Sequence, residues 1–161
     1  MSTPSTATCS PRSVASADGA YSCGASVASV DGSRYAFSSI RELGDGSGFR
    51  KVRRALGVRA FGVNAIVFPP GYEGFAHYHD LQDELYFVHS GLARVEVEGE
   101  VHELGPGGLF HCESTVPRKV SNAGEEDLVL LVVGGKDGYV ERDGHLVDPE
   151  RDLERRRAFG G

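Results

Sequence analysis

The chain has 161 residues with a formal net charge of −6, and 40% of its residues are hydrophobic. This length suits a single domain with a hydrophobic core, and the acidic balance argues against a nucleic-acid-binding protein, which needs a concentrated basic face. No apolar run is long enough to span a bilayer, and the first thirty residues lack a secretory pattern, so the sequence predicts a cytoplasmic protein without a membrane partner.

The first segment, residues 1–33, is dominated by Ser, Thr, Ala, Pro and Gly and has no hydrophobic periodicity. This composition predicts a disordered N-terminal arm, although Ser26–Val30 could instead dock as an edge strand. Residues 34–147 then predict a β-domain in which Gly and Pro separate short apolar runs. The predicted strands are Arg34–Phe37, Phe49–Leu56, Ala60–Phe68, Phe75–His79, Glu84–Ser90, Ala93–Glu98, Val101–Leu104, Leu109–Cys112, Lys119–Asn122 and Leu128–Val133.

The strand patterns and the tail complete the fold prediction. Residues 94–98 alternate apolar and charged side chains, which predicts one solvated face, whereas Leu128–Val133 is apolar throughout, which predicts burial on both faces. In the tail, residues 148–161, Asp148 and Pro149 favour the start of a helix that runs to Arg157. So many strands without intervening helices predict an all-β barrel or sandwich.

Cysteine usage agrees with an intracellular location. Cys9, Cys23 and Cys112 are odd in number, widely spaced and without a CxxC pair. Free thiols are the expected state of such cysteines.

The most informative segment lies between Gly71 and Gly91. Residues two apart on a strand project from one face, so His77 and His79 would present both imidazoles to the same space. Glu84 follows a short polar turn at the start of the next strand, from which its carboxylate can return to that point. Two imidazoles and a carboxylate on rigid strands suit one divalent transition metal, such as iron, zinc, manganese or nickel.

A structural alternative exists for the same residues. An isolated His-x-His pair is more often a pair of half-buried strand residues, and a carboxylate at a turn is usually solvated. The fixed intervals from Gly71 through His77, His79 and Glu84 to Gly91 favour the metal site. This pattern resembles the first motif of the cupin superfamily, with every position filled.

The resemblance covers roughly Phe61–Gly134 and implies a small β-barrel of jelly-roll type that holds a metal or ligand inside and that forms a homodimer. The second cupin motif is recognisable in the glycine-rich turn at residues 105–108, the turn at Ser114–Pro117, and Asn122. Arg118 stands where that motif has its third histidine ligand.

A guanidinium stays protonated and has no lone pair, so Arg118 cannot bind a metal. It could clamp an anionic ligand beside the metal, pair with Glu84 in a metal-free pocket, or reach the rim and pair with Glu113. The first arrangement makes Arg118 a substrate-binding residue. Tyr86, which has the same strand parity as Glu84, is the other predicted substrate-binding residue.

A replacement for the third ligand could come from the preceding strand, where only one of His111 and Cys112 can face inward. Alternation favours Cys112 inside as an apolar filler and His111 outside, and each remains an alternative ligand. His89, His102 and His145 have no partner at ligand spacing, which predicts surface or half-buried positions.

Three functions fit these residues. The first is a mononuclear metal enzyme, an oxygenase, isomerase or lyase, acting on a small oxygen-rich and anionic molecule. The second is a non-catalytic small-molecule-binding or sensing cupin without metal. The third, a metal-free enzyme such as a cupin-like sugar epimerase, is the weakest because the metal spacing is kept. No catalytic acid or base stands out, and the fold alone does not distinguish among the three functions.

Overall fold

Ten short strands form the framework of the computed structural model, which describes residues 34–152. A 3-10 turn at Ile40–Leu43 precedes them, and a helix, α1, covers Val52–Leu56. The strands are β1 (Gly48–Arg50), β2 (Gly62–Phe68), β3 (His77–His79), β4 (Asp83–Ser90), β5 (Ala93–Val97), β6 (Glu100–Leu104), β7 (Leu109–Cys112), β8 (Arg118–Asn122), β9 (Leu128–Gly135) and β10 (Gly144–Leu146).

The strands form two five-stranded antiparallel sheets with the orders β1-β2-β9-β4-β7 and β10-β3-β8-β5-β6. From β2 to β5, and again from β6 to β10, each successive strand lies in the other sheet. This exchange is the jelly-roll arrangement, in which two sheets enclose one interior. The predicted all-β class and architecture are confirmed.

The core fills the space between the sheets. Leu128 and Leu130 of β9 are almost fully buried, as are Val88 of β4 and Val95 of β5. Burying such a side chain contributes about 1.5–3 kcal/mol. Because residues two apart share a face, Glu84 and Tyr86 lie on the same face of β4 as Val88, and both face the interior.

Gly91, the last residue of the first motif, is required by the turn between β4 and β5. Its φ is +83°, in the left-handed region, and an added Cβ would lie 2.7 Å from the carbonyl oxygen of Asp127. Only glycine meets both demands at low cost.

Several details of the predicted strands are wrong. Arg34–Phe37 is not a strand, because a single alternating run gains little without a paired neighbour. Phe49–Leu56 is divided between β1 and α1, whose Arg, Ala and Leu favour helix and whose end is capped by Gly57 at φ 66°. β9 alternates buried and half-buried positions, because only one of its faces meets the core.

The structure also bears on the predictions for the tail and for the N-terminal arm. β10, in a stretch the sequence indicated only as polar, is an additional strand paired with β3. Residues 149–152 are helical, as predicted for the tail, and the rest of the predicted helix, to Arg157, lies outside the described residues. So do the predicted arm at residues 1–33, the Ser26–Val30 alternative, Cys9 and Cys23. Within residues 34–152, no helix is both long enough and apolar enough to cross a membrane.

Candidate metal centre

The candidate metal centre lies where β3 and β8 of one sheet face β4 of the other. His77 and Arg118 are direct cross-strand partners on β3 and β8, so their side chains share a face. Glu84, at the start of β4, meets them from the opposite sheet. The structure therefore brings the three predicted ligands together, and Arg118 with them.

Each imidazole lies against one oxygen of the same carboxylate. His77 Nε2 is 3.5 Å from Glu84 Oε2, and His79 Nε2 is 3.3 Å from Glu84 Oε1. The potential ligand atoms of these three residues all lie within 4.8 Å of one another. The His79 side chain is 9% exposed and that of His77 is 28% exposed, so the site opens to solvent on the His77 side.

The other nitrogen of each ring shows where the proton sits. His77 Nδ1 is 3.1 Å from the carbonyl oxygen of Phe75, and His79 Nδ1 is 2.7 Å from Asp143 Oδ1. Neither oxygen can donate, so each Nδ1 must carry the hydrogen. The amide of Gln82 also lies 2.8 Å from His79 Nδ1, and a 180° rotation of that amide exchanges its donor and acceptor.

It follows that each ring, when it is neutral, directs an Nε2 lone pair at the Glu84 carboxylate. Neither neutral ring then supplies a proton to Glu84, and His79 Nε2 is buried without a hydrogen-bond partner in the described part of the chain. An unsatisfied buried polar atom costs about 1–3 kcal/mol, so the site favours a cation at this point. The donor set fits a divalent transition metal.

Arg118 supplies a second cation close to the same carboxylate. Its Nη2 donates to Glu84 Oε2 at 2.7 Å, and its Nη1 donates to the carbonyl oxygens of Ser114 and Val116 at 3.0 and 3.2 Å. The residue is 1% exposed, so the alternative in which it reaches the rim and pairs with Glu113 is wrong. Arg118 therefore pairs with the carboxylate that would also be a metal ligand.

Tyr86 completes the cluster. Its hydroxyl donates to Glu84 Oε2 and lies 3.5 Å from His77 Nε2. Burial, followed by the negative charge of Glu84, raises the pKa of Tyr86 well above 10, so the phenol stays protonated and remains a donor.

The electrostatics keep Glu84 ionised. Burial by itself raises the pKa of this carboxyl, but contacts with His77, His79 and Tyr86 and the charge of Arg118 hold it far below its usual range. Burial lowers the pKa of His79, whereas the close contact and charge of Glu84 and the hydrogen bond to Asp143 raise it, and the net shift is upward. In the absence of a metal, a proton on His79 is therefore the favoured counter-charge.

The strand before Arg118 follows the predicted alternation. Cys112 is buried and free, with its Sγ 3.6 Å from the carbonyl oxygen of Val116, and His111 is exposed. The donor cluster found among residues 34–152 contains neither residue. The remaining histidines, His89, His102 and His145, are exposed as predicted.

Sequence reasoning missed Asp143, which bonds to His79 from 64 positions away. The Asp-Gly pair at residues 143–144 indicates only a turn, so no local signal identified its partner.

Comparison with known proteins gives the family of this fold. The family model of the cupin domain matches residues 65–134, a range that includes His77, His79, Glu84 and Arg118. Residues 65–134 are therefore a cupin domain. Asp143 and β10 lie beyond the matched residues.

Similar proteins agree with this assignment. An uncharacterized protein of Methanocaldococcus jannaschii is 28% identical to this cupin over 94 residues, which are 58% of this chain and 70% of that protein. A crystal structure of a cupin protein from Bacteroides fragilis has a TM-score of 0.57 and 24% identity, and covers 68% of this chain and 90% of that one. A sugar phosphate isomerase of the cupin superfamily from Silicibacter pomeroyi has a TM-score of 0.52 and 26% identity, over 55% of this chain and 58% of that one.

Proposed function

We propose that this cupin binds one divalent transition metal through His77, His79 and Glu84, and a small oxygen-rich, anionic molecule beside it. The observation that carries the proposal is the convergence of His77 Nε2, His79 Nε2 and the Glu84 carboxylate, with the potential ligand atoms of the three residues all within 4.8 Å of one another. Iron, zinc, manganese and nickel all accept this donor set.

The chain's own residues would hold the components of the reaction. A bound metal would act as a Lewis acid that polarises a carbonyl or carboxylate oxygen of the substrate. Arg118 donates a hydrogen bond to Glu84 Oε2 and so holds the carboxylate with its Oε1 toward His79. Tyr86 keeps a proton on its hydroxyl, which it donates to Glu84 Oε2; turned from Glu84 to a substrate oxygen, the same proton would serve as a donor there.

Charge supports an anionic substrate. A divalent metal with Arg118 on one side, and Glu84 and Asp143 on the other, leaves one positive charge in excess within a partly desolvated site. The likeness to a sugar phosphate isomerase, of which this chain spans 58%, supports isomerisation of such a molecule. Substrate binding by Arg118 and Tyr86 stays a prediction, as do the cytoplasmic location and the homodimer.

A second candidate function is supported by the ion pair itself. Arg118 Nη2 lies 2.7 Å from Glu84 Oε2, and a proton on His79 would balance the remaining charge without any metal. The cupin would then be a non-catalytic protein that binds or senses a small molecule.

The deciding experiment is metal analysis of protein purified without chelators or a histidine tag, and again after exposure to each of the four metals and removal of the excess. The proposal predicts about one tightly held ion per chain, lost in His77→Ala and kept in His111→Ala. His111 is the matched control because it is exposed, and because its loss also tests it as an alternative ligand. An unmodified protein that retains none of the metals would contradict the proposal and favour the metal-free candidate.

A further inference from the structure

Asp143 is a buried carboxylate that the main chain holds in one orientation. Its Oδ2 accepts hydrogen bonds from the backbone N–H groups of Leu81 and Gln82, both at 2.9 Å. Its own carbonyl oxygen accepts from the N–H of Asp80 at 3.2 Å. Oδ1 is therefore the oxygen that remains for His79, at 2.7 Å.

The strand that follows Asp143 lies directly against the ligand histidines. Gly144 of β10 is the cross-strand partner of His79, and Leu146 is the partner of His77. A Cβ at position 144 would lie 3.0 Å from His79 Cε1, so glycine allows the strand to approach the ring. The turn before β10 thus delivers the carboxylate to the side of His79 that faces away from Glu84.

We propose that Asp143 is a positioning residue of the candidate metal centre, which fixes His79 in the tautomer whose Nε2 lone pair faces Glu84. This inference rests on the proposed metal function for its purpose. A carboxylate on the far nitrogen of a metal-binding imidazole holds the ring in place and makes it a stronger ligand. It also means that the site extends beyond the matched cupin residues, to a segment after β9.

Asp143→Asn is the sharpest change, because it keeps the shape and removes one acceptor. If the amide oxygen faces Leu81 and Gln82, the amide N–H₂ faces His79 Nδ1 and moves the ring proton to Nε2, which blocks a metal. If the oxygen faces His79 instead, the N–H₂ opposes two backbone N–H groups. Either arrangement weakens the support of the ring.

The direct readout is the tautomer of His79 in ¹⁵N-labelled, metal-free protein, from long-range ¹H–¹⁵N spectra at a pH where the ring is neutral. The proposal predicts protonated Nδ1 and unprotonated Nε2 in the unmodified protein, and loss of that pattern in Asp143→Asn. Asp80→Asn is the matched control. Asp80 pairs with His145 at the same 2.7 Å but on the exposed surface, and its substitution should leave the His79 signals in place.

The second readout is zinc affinity by chelator competition. We expect about a 10- to 100-fold loss in Asp143→Asn, from the usual effect of removing such a partner, and less than about twofold in Asp80→Asn. Protonated Nε2 in the unmodified protein, or the same His79 pattern in Asp143→Asn, would overturn the inference.

The two proposals fail separately. If the tautomer depends on Asp143 but the unmodified protein binds no zinc, the positioning of His79 stands and the metal function falls. If zinc binds but Asp143→Asn changes neither tautomer nor affinity, the metal function stands and the role of Asp143 falls. If Asp143→Asn does not fold, the spectrum of the unmodified protein still decides, since a proton on Nε2 excludes the proposed arrangement.

Discussion

The two histidines of the candidate metal centre are held by different means. His77 is the more exposed, and its Nδ1 donates to a backbone carbonyl two residues away. His79 is buried, and its Nδ1 donates to a carboxylate that arrives from a separate strand connection. His77 is therefore oriented by the chain just before it, whereas His79 depends on Asp143, which lies outside the matched cupin residues.

The largest expected effect comes from Glu84→Ala, which removes the carboxylate that contacts both histidines and Arg118. Arg118 would be left buried without its carboxylate, and an unpaired buried charge costs about 3–5 kcal/mol. Chemical denaturation of the metal-free protein measures this loss, with Glu113→Ala as the control, because Glu113 is an exposed carboxylate of the loop between β7 and β8. A loss for Glu84→Ala below about 1 kcal/mol would show that Arg118 finds another partner.

The next effect separates the two histidines. Both His79→Ala and His77→Ala should abolish metal retention. In the metal-free protein, however, His79→Ala should lower the free energy of unfolding by about 2 kcal/mol, because it removes a buried ring and its bond to Asp143, and His77→Ala by less than about 1 kcal/mol. Equal losses of unfolding free energy in the two variants, measured by denaturant titration, would show that the protein holds His77 and His79 equally firmly.

Arg118→His would add a third imidazole beside His77, its cross-strand partner. This change removes a positive charge close to the metal position and supplies a lone pair, so we expect metal affinity to rise by at least about tenfold. Arg118→Met is the matched control that removes the charge without adding a ligand, and its affinity should fall between those of the unmodified protein and Arg118→His. Chelator competition that shows weaker binding in both variants would assign Arg118 a purely supporting role.

The smallest effect is the pH dependence that His79 confers on the metal-free protein. Because its pKa is raised above the ordinary value of 6.5, the folded state holds this proton more tightly than the unfolded state. The resulting stability is fully present below pH 6.5 and is lost as the pH rises through the folded pKa. Unfolding free energies measured across this range should show that loss in the unmodified protein and His77→Gln but not in His79→Gln.

Much of the fold was predictable because burial imposes a period of two on strands such as β4 and β5. The same period placed His77 and His79 on one face, with Cys112 inside and His111 outside, and the short turn before Glu84 predicted the return of its carboxylate to them. The N-terminal elements were less predictable, since the sequence around Arg53 is compatible with both a strand and a helix. In the structure it forms α1, which ends at Gly57 in the left-handed conformation.

Two features of the site could not be predicted locally. Arg118 allowed several partners, and only the approach of β4 to β8 selects Glu84. Asp143 reaches His79 through β10, a three-residue strand without a hydrophobic pattern of its own. Both contacts depend on which strands lie side by side in the fold, and no local sequence pattern predicts that.

The central claim is that both imidazoles and Glu84 bind the same metal, and X-ray absorption spectroscopy of the zinc-loaded protein tests it most directly. The account predicts two imidazole nitrogens at about 2.0–2.1 Å, with the other nearest neighbours being oxygens. A sulfur neighbour at about 2.3 Å, which would indicate Cys112, or scattering from fewer than two imidazoles, would contradict it.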